Sequence, residues 1–155
     1  MSLKNHFYIT LPSSSCLDLY PDNKVTNYTT NLPNLIALDS DFEVALVELQ
    51  LRGNIIKSYK SQIHEIFIYS DICCYTNIGT KLSPILRVVP VEISNKKVLK
   101  THIIYNSPHY IPLSNNLLSQ IKIELRTIEG ELVPIEYGHC IVKLHFKKCP
   151  EYINL

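Results

Sequence analysis

Residues 41–51 read DFEVALVELQL, the longest nearly unbroken apolar run in the chain. Apolar side chains occupy both faces of any strand drawn through this run, so we expect that strand to have protein above and below it. Eleven residues could also form three helical turns. The β-branched and aromatic content, together with the turn-forming Asp-Ser-Asp at 39–41, favours a strand. The run therefore predicts a central strand with the rest of the fold arranged around it.

The composition predicts one globular all-β domain that spans residues 1–155. Hydrophobic residues make up 46% of the chain and charged residues 19%, which is typical of a folded protein. Ten tyrosines and an excess of isoleucine favour strands over helices. The net charge is +1, so bulk electrostatics provide no attraction to nucleic acid or to an anionic membrane.

The N-terminal stretch MSLKNHFYITLPSSS has no apolar run of signal-peptide length, and no window of the chain approaches a transmembrane span. We therefore expect a protein that is not secreted and does not insert into a membrane. Five cysteines stand at positions 16, 73, 74, 140 and 149. Without secretion, these predict reduced and mostly buried thiols in a cytosolic or nuclear compartment.

Alternating patterns predict about eight strands and almost no helix. Tyr-Pro-Asp-Asn at 20–23 and Arg-Gly-Asn at 52–54 are predicted turns, and only residues 114–120 (SNNLLSQ) could hold a helical turn. Eight short strands fit a single jelly roll of two four-stranded antiparallel sheets. The predicted strands cover residues 6–11, 25–32, 41–51, 63–71, 84–91, 98–105, 121–126 and 140–146.

No motif for catalysis, metal binding or cofactor binding is present in the sequence. The six histidines are scattered, and none has the HExxH or CxxC spacing that gathers metal ligands. The four glycines form neither a phosphate-binding loop nor a dinucleotide fingerprint. We therefore predict a protein that is not an enzyme and that uses no metal or cofactor.

Glu48 lies in the central strand, where a charge needs a partner if it is buried. Arg87, in the strand PILRVVPV at 84–91, is the candidate partner. The alternative is that both side chains simply emerge at a strand end or at an interface.

Several stretches resemble the penton (minor capsid) protein of Polinton or Maverick elements and of adintovirus-like viruses. The resemblance extends in order along most of the chain, and YPDN and PHYIPLS are its more specific pieces. The matching stretches are 7–13 (FYITLPS), 20–23 (YPDN), 28–33 (YTTNLP), 42–48 (FEVALVE), 86–91 (LRVVPV), 108–114 (PHYIPLS) and 138–146 (GHCIVKLHF). Phe42 stands where the family usually has Trp, and RGNIIKSYKSQ replaces a segment that is often rich in Tyr and Pro.

The resemblance implies a structural subunit of a virion, made in the host cytoplasm or nucleus. It would form homopentamers at the fivefold vertices of an icosahedral particle, beside a double-jelly-roll major capsid protein. Residues at strand ends are the candidate subunit interface: Tyr20, Pro21, Asp22, Asn23, Arg52, Asn54, Tyr59 and Tyr152. The alternatives are a β-sandwich recognition module that binds a carbohydrate or a host protein, and a cupin-type enzyme, whose metal-binding His and Glu pattern is missing.

Overall fold

The computed structural model describes residues 5–150, which form strands joined by turns and loops. Tyr152 lies outside the described residues. The strands are His6–Pro12 (β1), Asn27–Ala37 (β2), Phe42–Ile55 (β3), Glu65–Ser70 (β4), Thr76–Ile78 (β5), Lys81–Ser83 (β6), Ile85–Pro90 (β7), Val98–Ile104 (β8), Ile111–Pro112 (β9), Leu117–Arg126 (β10) and Ile135–Lys148 (β11).

Nine of these strands form two facing sheets, and every pairing is antiparallel. One sheet has the order β1-β11-β3-β8, with the short β9 also paired to β3, and the other has the order β2-β10-β4-β7. The chain crosses between the sheets after β1, β2 and β3, and again after β7, β9 and β10. The short strands β5 and β6 form a separate ribbon between β4 and β7. This topology is a jelly roll, as predicted from the strand count.

The apolar run that predicted a central strand lies in β3, between β11 and β8. Lys143 pairs with Glu48 and Leu144 with Leu46, so Val47 is an extra residue without a partner in β11. Such a bulge reverses the alternation of side chains between the two faces. Residues 42, 44 and 46 before the bulge, and 49, 51 and 55 after it, consequently all face the same core. The continuous apolar run therefore results mainly from the bulge, rather than from a second apolar layer.

Two local predictions are wrong. Residues 52–54 do not turn, because β3 continues to Ile55 while paired to both β11 and β8. The stretch 114–120 forms no helical turn, and β10 begins at Leu117. The cap-forming side chain of Asn115 accepts a hydrogen bond from the Leu117 amide instead, at 3.0 Å, which is a local turn contact.

Tyr28 joins the two sheets along the side of the sandwich where β1 and β2 lie. Its ring is fully buried, and its hydroxyl donates a 2.8 Å hydrogen bond to the Leu11 carbonyl of the opposite sheet. Burial raises the pKa of this phenol, so the hydroxyl remains protonated and able to donate. The contact satisfies a carbonyl on an edge strand.

Replacing Tyr28 with Phe is expected to lower the free energy of unfolding by about 1 kcal/mol, because a buried hydrogen bond between the two sheets would be lost. Urea denaturation measures this loss. Tyr137→Phe removes a hydroxyl from a side chain that is 81% exposed and should change stability by less than about 0.5 kcal/mol. Equal losses in the two variants would contradict this role for Tyr28.

Candidate functional site

Four loops meet at one end of the sandwich, which we call the loop end. They comprise residues 13–26, 56–64, 91–97 and 127–134, and each connects strands of opposite sheets. Most of the predicted interface residues lie at this end, either in the first two loops or near the end of β3. The sequence therefore identified residues that the fold brings to a common region.

Two of the predicted interface residues hold the first loop in place. The predicted turn forms, because the Asn23 amide donates to the Tyr20 carbonyl at 3.0 Å. The Tyr20 hydroxyl donates to Gln120 Oε1 at 2.8 Å, and the Asn23 side chain bonds both the amide and the carbonyl of Thr29. These two side chains therefore have internal structural partners.

The other predicted interface residues differ in how accessible they are. Pro21, Asp22, Arg52 and Asn54 are exposed and free to meet a neighbour. Tyr59 is half-buried against the core, and its carbonyl accepts a 3.3 Å hydrogen bond from the Lys97 ammonium. The accessible part of the predicted loop-end interface is thus polar.

Glu48 and Arg87 lie in different sheets, and within residues 5–150 no ion pair joins one to the other. Glu48 faces outward, on the opposite face of β3 from Leu49, and its carboxylate lies 3.2 Å from His102 Nε2 on β8. The bulge at Val47 is the reason, since it determines the outward orientation of the residue that follows. The predicted pair is therefore replaced by a Glu48–His102 contact.

Arg87 points inward from β7. It pairs in register with the buried Ile68, so both side chains lie on the inner face. Its guanidinium carbon stacks 3.5 Å from the centroid of the Tyr105 ring, a favourable cation–π geometry. An inward charge on the edge strand β7 is also a common protection against edge-to-edge pairing.

The sandwich has two open sides, where the edge strands of the two sheets lie next to each other. On the first side, β1 and β2 border an apolar groove lined by Tyr8, Ile9, Pro33, Leu35 and Ile36. Leu35 at the rim is 64% exposed. A lateral groove of this composition is a candidate contact surface.

The second open side has the edge strands β7 and β8. Val88 on β7 and Ile104 on β8 are both exposed, and Ile104 is 63% exposed. Leu82 of the β5–β6 ribbon is exposed near the start of β7. The edge strands of both lateral sides therefore carry exposed apolar residues, and Ile104, the register partner of Glu48, projects from the outer face of β8.

An aromatic and histidine cluster covers the outer face of the β1–β11–β3 sheet. His6 Nδ1 lies 3.0 Å from His145 Nε2, and the Tyr110 hydroxyl lies 2.8 Å from His145 Nδ1. Tyr8 stacks on the His145 ring with centroids 4.4 Å apart. The sequence shows that these residues alternate with apolar ones in their strands, but their contacts depend on the pairing of β1 with β11.

Charged side chains flank this cluster on both sides. Lys147 Nζ lies 3.9 Å from the Tyr110 ring centroid and 3.5 Å from Glu43 Oε1. Lys143 Nζ lies 5.0 Å from the Tyr8 ring centroid. Burial, His6 and Lys147 all lower the pKa of His145, because each disfavours a positive charge on its ring.

The cysteines show no sign of an activated thiol. Cys73 and Cys140 are buried, and burial raises the pKa of each thiol to about 12. A thiol of that pKa is protonated at neutral pH and is a weak nucleophile. Within residues 5–150, no three His, Cys, Asp or Glu side chains converge as a metal-binding group.

Across the described part of the chain, no helix has the length and apolar character needed to cross a membrane.

Comparison of the fold with solved structures gives one similarity of note. The chain is similar to the crystal structure of the selenomethionine-labelled mavirus penton protein, with a TM-score of 0.66 and 7% sequence identity. The match covers 93% of this chain and 100% of the mavirus chain. No protein-family model matches the sequence, and no curated protein matches it. At 7% identity, the likeness establishes a shared jelly-roll fold.

Proposed function

We propose that this chain is a penton-type minor capsid protein, of the kind found in Polinton or Maverick elements and adintovirus-like viruses. It forms homopentamers at the fivefold vertices of an icosahedral virion and contacts a double-jelly-roll major capsid protein there. The observation that carries this proposal is the jelly roll shared with the mavirus penton protein over that protein's full length. The ordered sequence resemblance points to the same class of protein.

A closed ring of identical subunits requires two different contact patches on each subunit, because each patch meets the other kind on a neighbour. The two open sides of the sandwich provide such patches. We assign the Leu35 groove on the β1–β2 side to one patch and the exposed Ile104 on the β7–β8 side to the other. The exposed loop-end residues Arg52 and Asn54 remain proposed contacts beside these patches.

The mass of the purified protein in solution tests the proposal. A particle of five times the 17.8 kDa chain mass, seen as a ring by negative-stain microscopy, is the expected result. Addition of the major capsid protein should place this ring at particle vertices. A stable monomer at high concentration that enters no particle would overturn the proposal and favour the recognition module.

Charge substitutions test which surfaces form the ring. Leu35→Glu and Ile104→Glu should each abolish the ring, because either one places an unpaired charge in every contact. A mixture of the two variants retains one intact contact and should form a dimer of one of each. Tyr75→Glu, at a side chain that is 67% exposed in the 71–84 connection at the other end of the sandwich, should leave the ring intact. If both single variants still form rings, neither of the two patches is a contact between subunits of the ring.

A further inference from the structure

We propose that the His6–His145 pair is an acid-sensitive contact that holds the N-terminal half of β1 against β11 at neutral pH and releases it when both rings are protonated. The inference rests on the geometry of the outer-face cluster and is independent of the proposed capsid role.

The first proton can be accommodated by the hydrogen-bond network. A neutral imidazole carries one donor and one acceptor nitrogen, so two neutral rings can share a single hydrogen between His6 Nδ1 and His145 Nε2. If either ring gains a proton, one of the two facing nitrogens can still accept. The Tyr110 hydroxyl can donate to His145 Nδ1 or accept from it, so it adapts to either state.

The second proton cannot be accommodated. With both rings charged, both facing nitrogens carry a hydrogen, and the 3.0 Å contact becomes a close approach of two donors. Two positive charges then lie side by side, and Lys143 and Lys147 add to the repulsion. The carboxylates of Glu43 and Glu48 on this face already have partners, since Glu43 contacts Lys147 and Glu48 contacts His102.

The strand that would be released is an edge strand. The first residues of β1 pair only with β11, whereas β11 is held on its other side by β3. On the inner face, Phe7 still stacks on Phe146 with centroids 4.8 Å apart, and this contact does not depend on pH. We therefore expect a local opening of residues 6–9 and not a global unfolding.

The pH window follows from the direction in which the pKa is shifted. Because the pKa of His145 is lowered in the folded protein, the folded state binds this proton more weakly than the unfolded state does. The stabilisation is complete above the ordinary histidine value of 6.5 and is lost as the pH falls from there through the folded pKa.

Amide hydrogen exchange and histidine-ring NMR on the protein as purified test the inference. Between about pH 7.5 and about pH 5, protection of the Phe7–Ile9 amides should fall at least about tenfold relative to the amides of β3, after correction for intrinsic exchange. High salt should reduce this loss, because it screens the repulsion.

His6→Gln is the decisive variant, since it keeps a side-chain donor that cannot be charged. It should raise the pKa of His145, because the His6 charge that lowers it is removed, and it should abolish the acid-dependent loss of protection in β1. His139→Gln, at an exposed position of β11, is the matched control and should behave like the unmodified protein. An unchanged His145 titration in His6→Gln, or a persistent loss of protection, would overturn the inference. If His6→Gln weakens β1 at every pH, the titration of His145 still tests the inference, because it shows whether the pKa of His145 rises.

Discussion

Gly138→Ala is expected to lower the free energy of unfolding by about 3 kcal/mol or more. A Cβ atom at this position would lie 1.9 Å from the Arg52 carbonyl oxygen and 2.7 Å from the Gly53 Cα. Both atoms belong to the backbone of β3, so neither can move aside as a flexible side chain could. Gly138 also has a φ of +157°, a conformation that alanine rarely adopts.

The cause is the close approach of β3 and β11 near the loop end. Gly138 and Gly53 are register partners, beside a bulge at Tyr137, which itself has a positive φ. Gly130→Ala is the matched control, because its φ is +87° but a Cβ there would meet nothing within 4 Å. This control should lose only about 1 kcal/mol. If urea denaturation gives equal losses of unfolding free energy for Gly138→Ala and Gly130→Ala, then β3 and β11 can move apart at low cost and this explanation is wrong.

Phe146→Ala is expected to cost about 3–5 kcal/mol of the free energy of unfolding. Phe146 is fully buried and stacks on Phe7 with an interplanar angle of 4°. Phe7 in turn contacts Phe42 at a centroid distance of 6.0 Å. The three rings thus join β11, β1 and β3 across the inner face, and loss of the Phe146 ring would leave a cavity at this junction.

The matched control is Phe146→Leu, which retains most of the volume and should cost less than about 1.5 kcal/mol. Thermal or urea denaturation of both variants measures the difference. A loss of less than about 1.5 kcal/mol in Phe146→Ala would mean that Phe7 and Phe42 collapse into the space. If the folded variants still form the proposed pentameric ring, the substitution affects stability and not assembly.

Strand identity was predictable because it depends on local alternation. The strands at 6–11 and 140–146, and the turn at 20–23, were all visible as apolar–polar patterns or turn chemistry. The prediction of a turn at 52–54 was wrong because Arg-Gly-Asn is a common turn sequence. Here Gly53 permits a close strand approach instead, and a Cβ there would lie 2.0 Å from Ile135 Cγ2.

The predicted Glu48–Arg87 pair failed for a different reason. The apolar run predicted protein on both faces of β3, but Val47 reverses the phase and turns Glu48 outward. A bulge leaves no reliable signature in the sequence of one strand, because it is defined by the partner strand. Leu117 likewise pairs with Ala37, a tertiary contact that outweighed the local preference for a helical turn.

The sequence by itself determined the all-β class, most strand positions and the absence of recognisable catalytic motifs. Only the tertiary structure decided the sheet order, the orientation of the Glu48 and Arg87 side chains, the two open sides and the histidine cluster. His6 and His145 are 139 positions apart, and no local pattern relates them. Local alternation is set by neighbouring residues, whereas strand register is set by packing between distant segments, and the contacts across strands follow from that register.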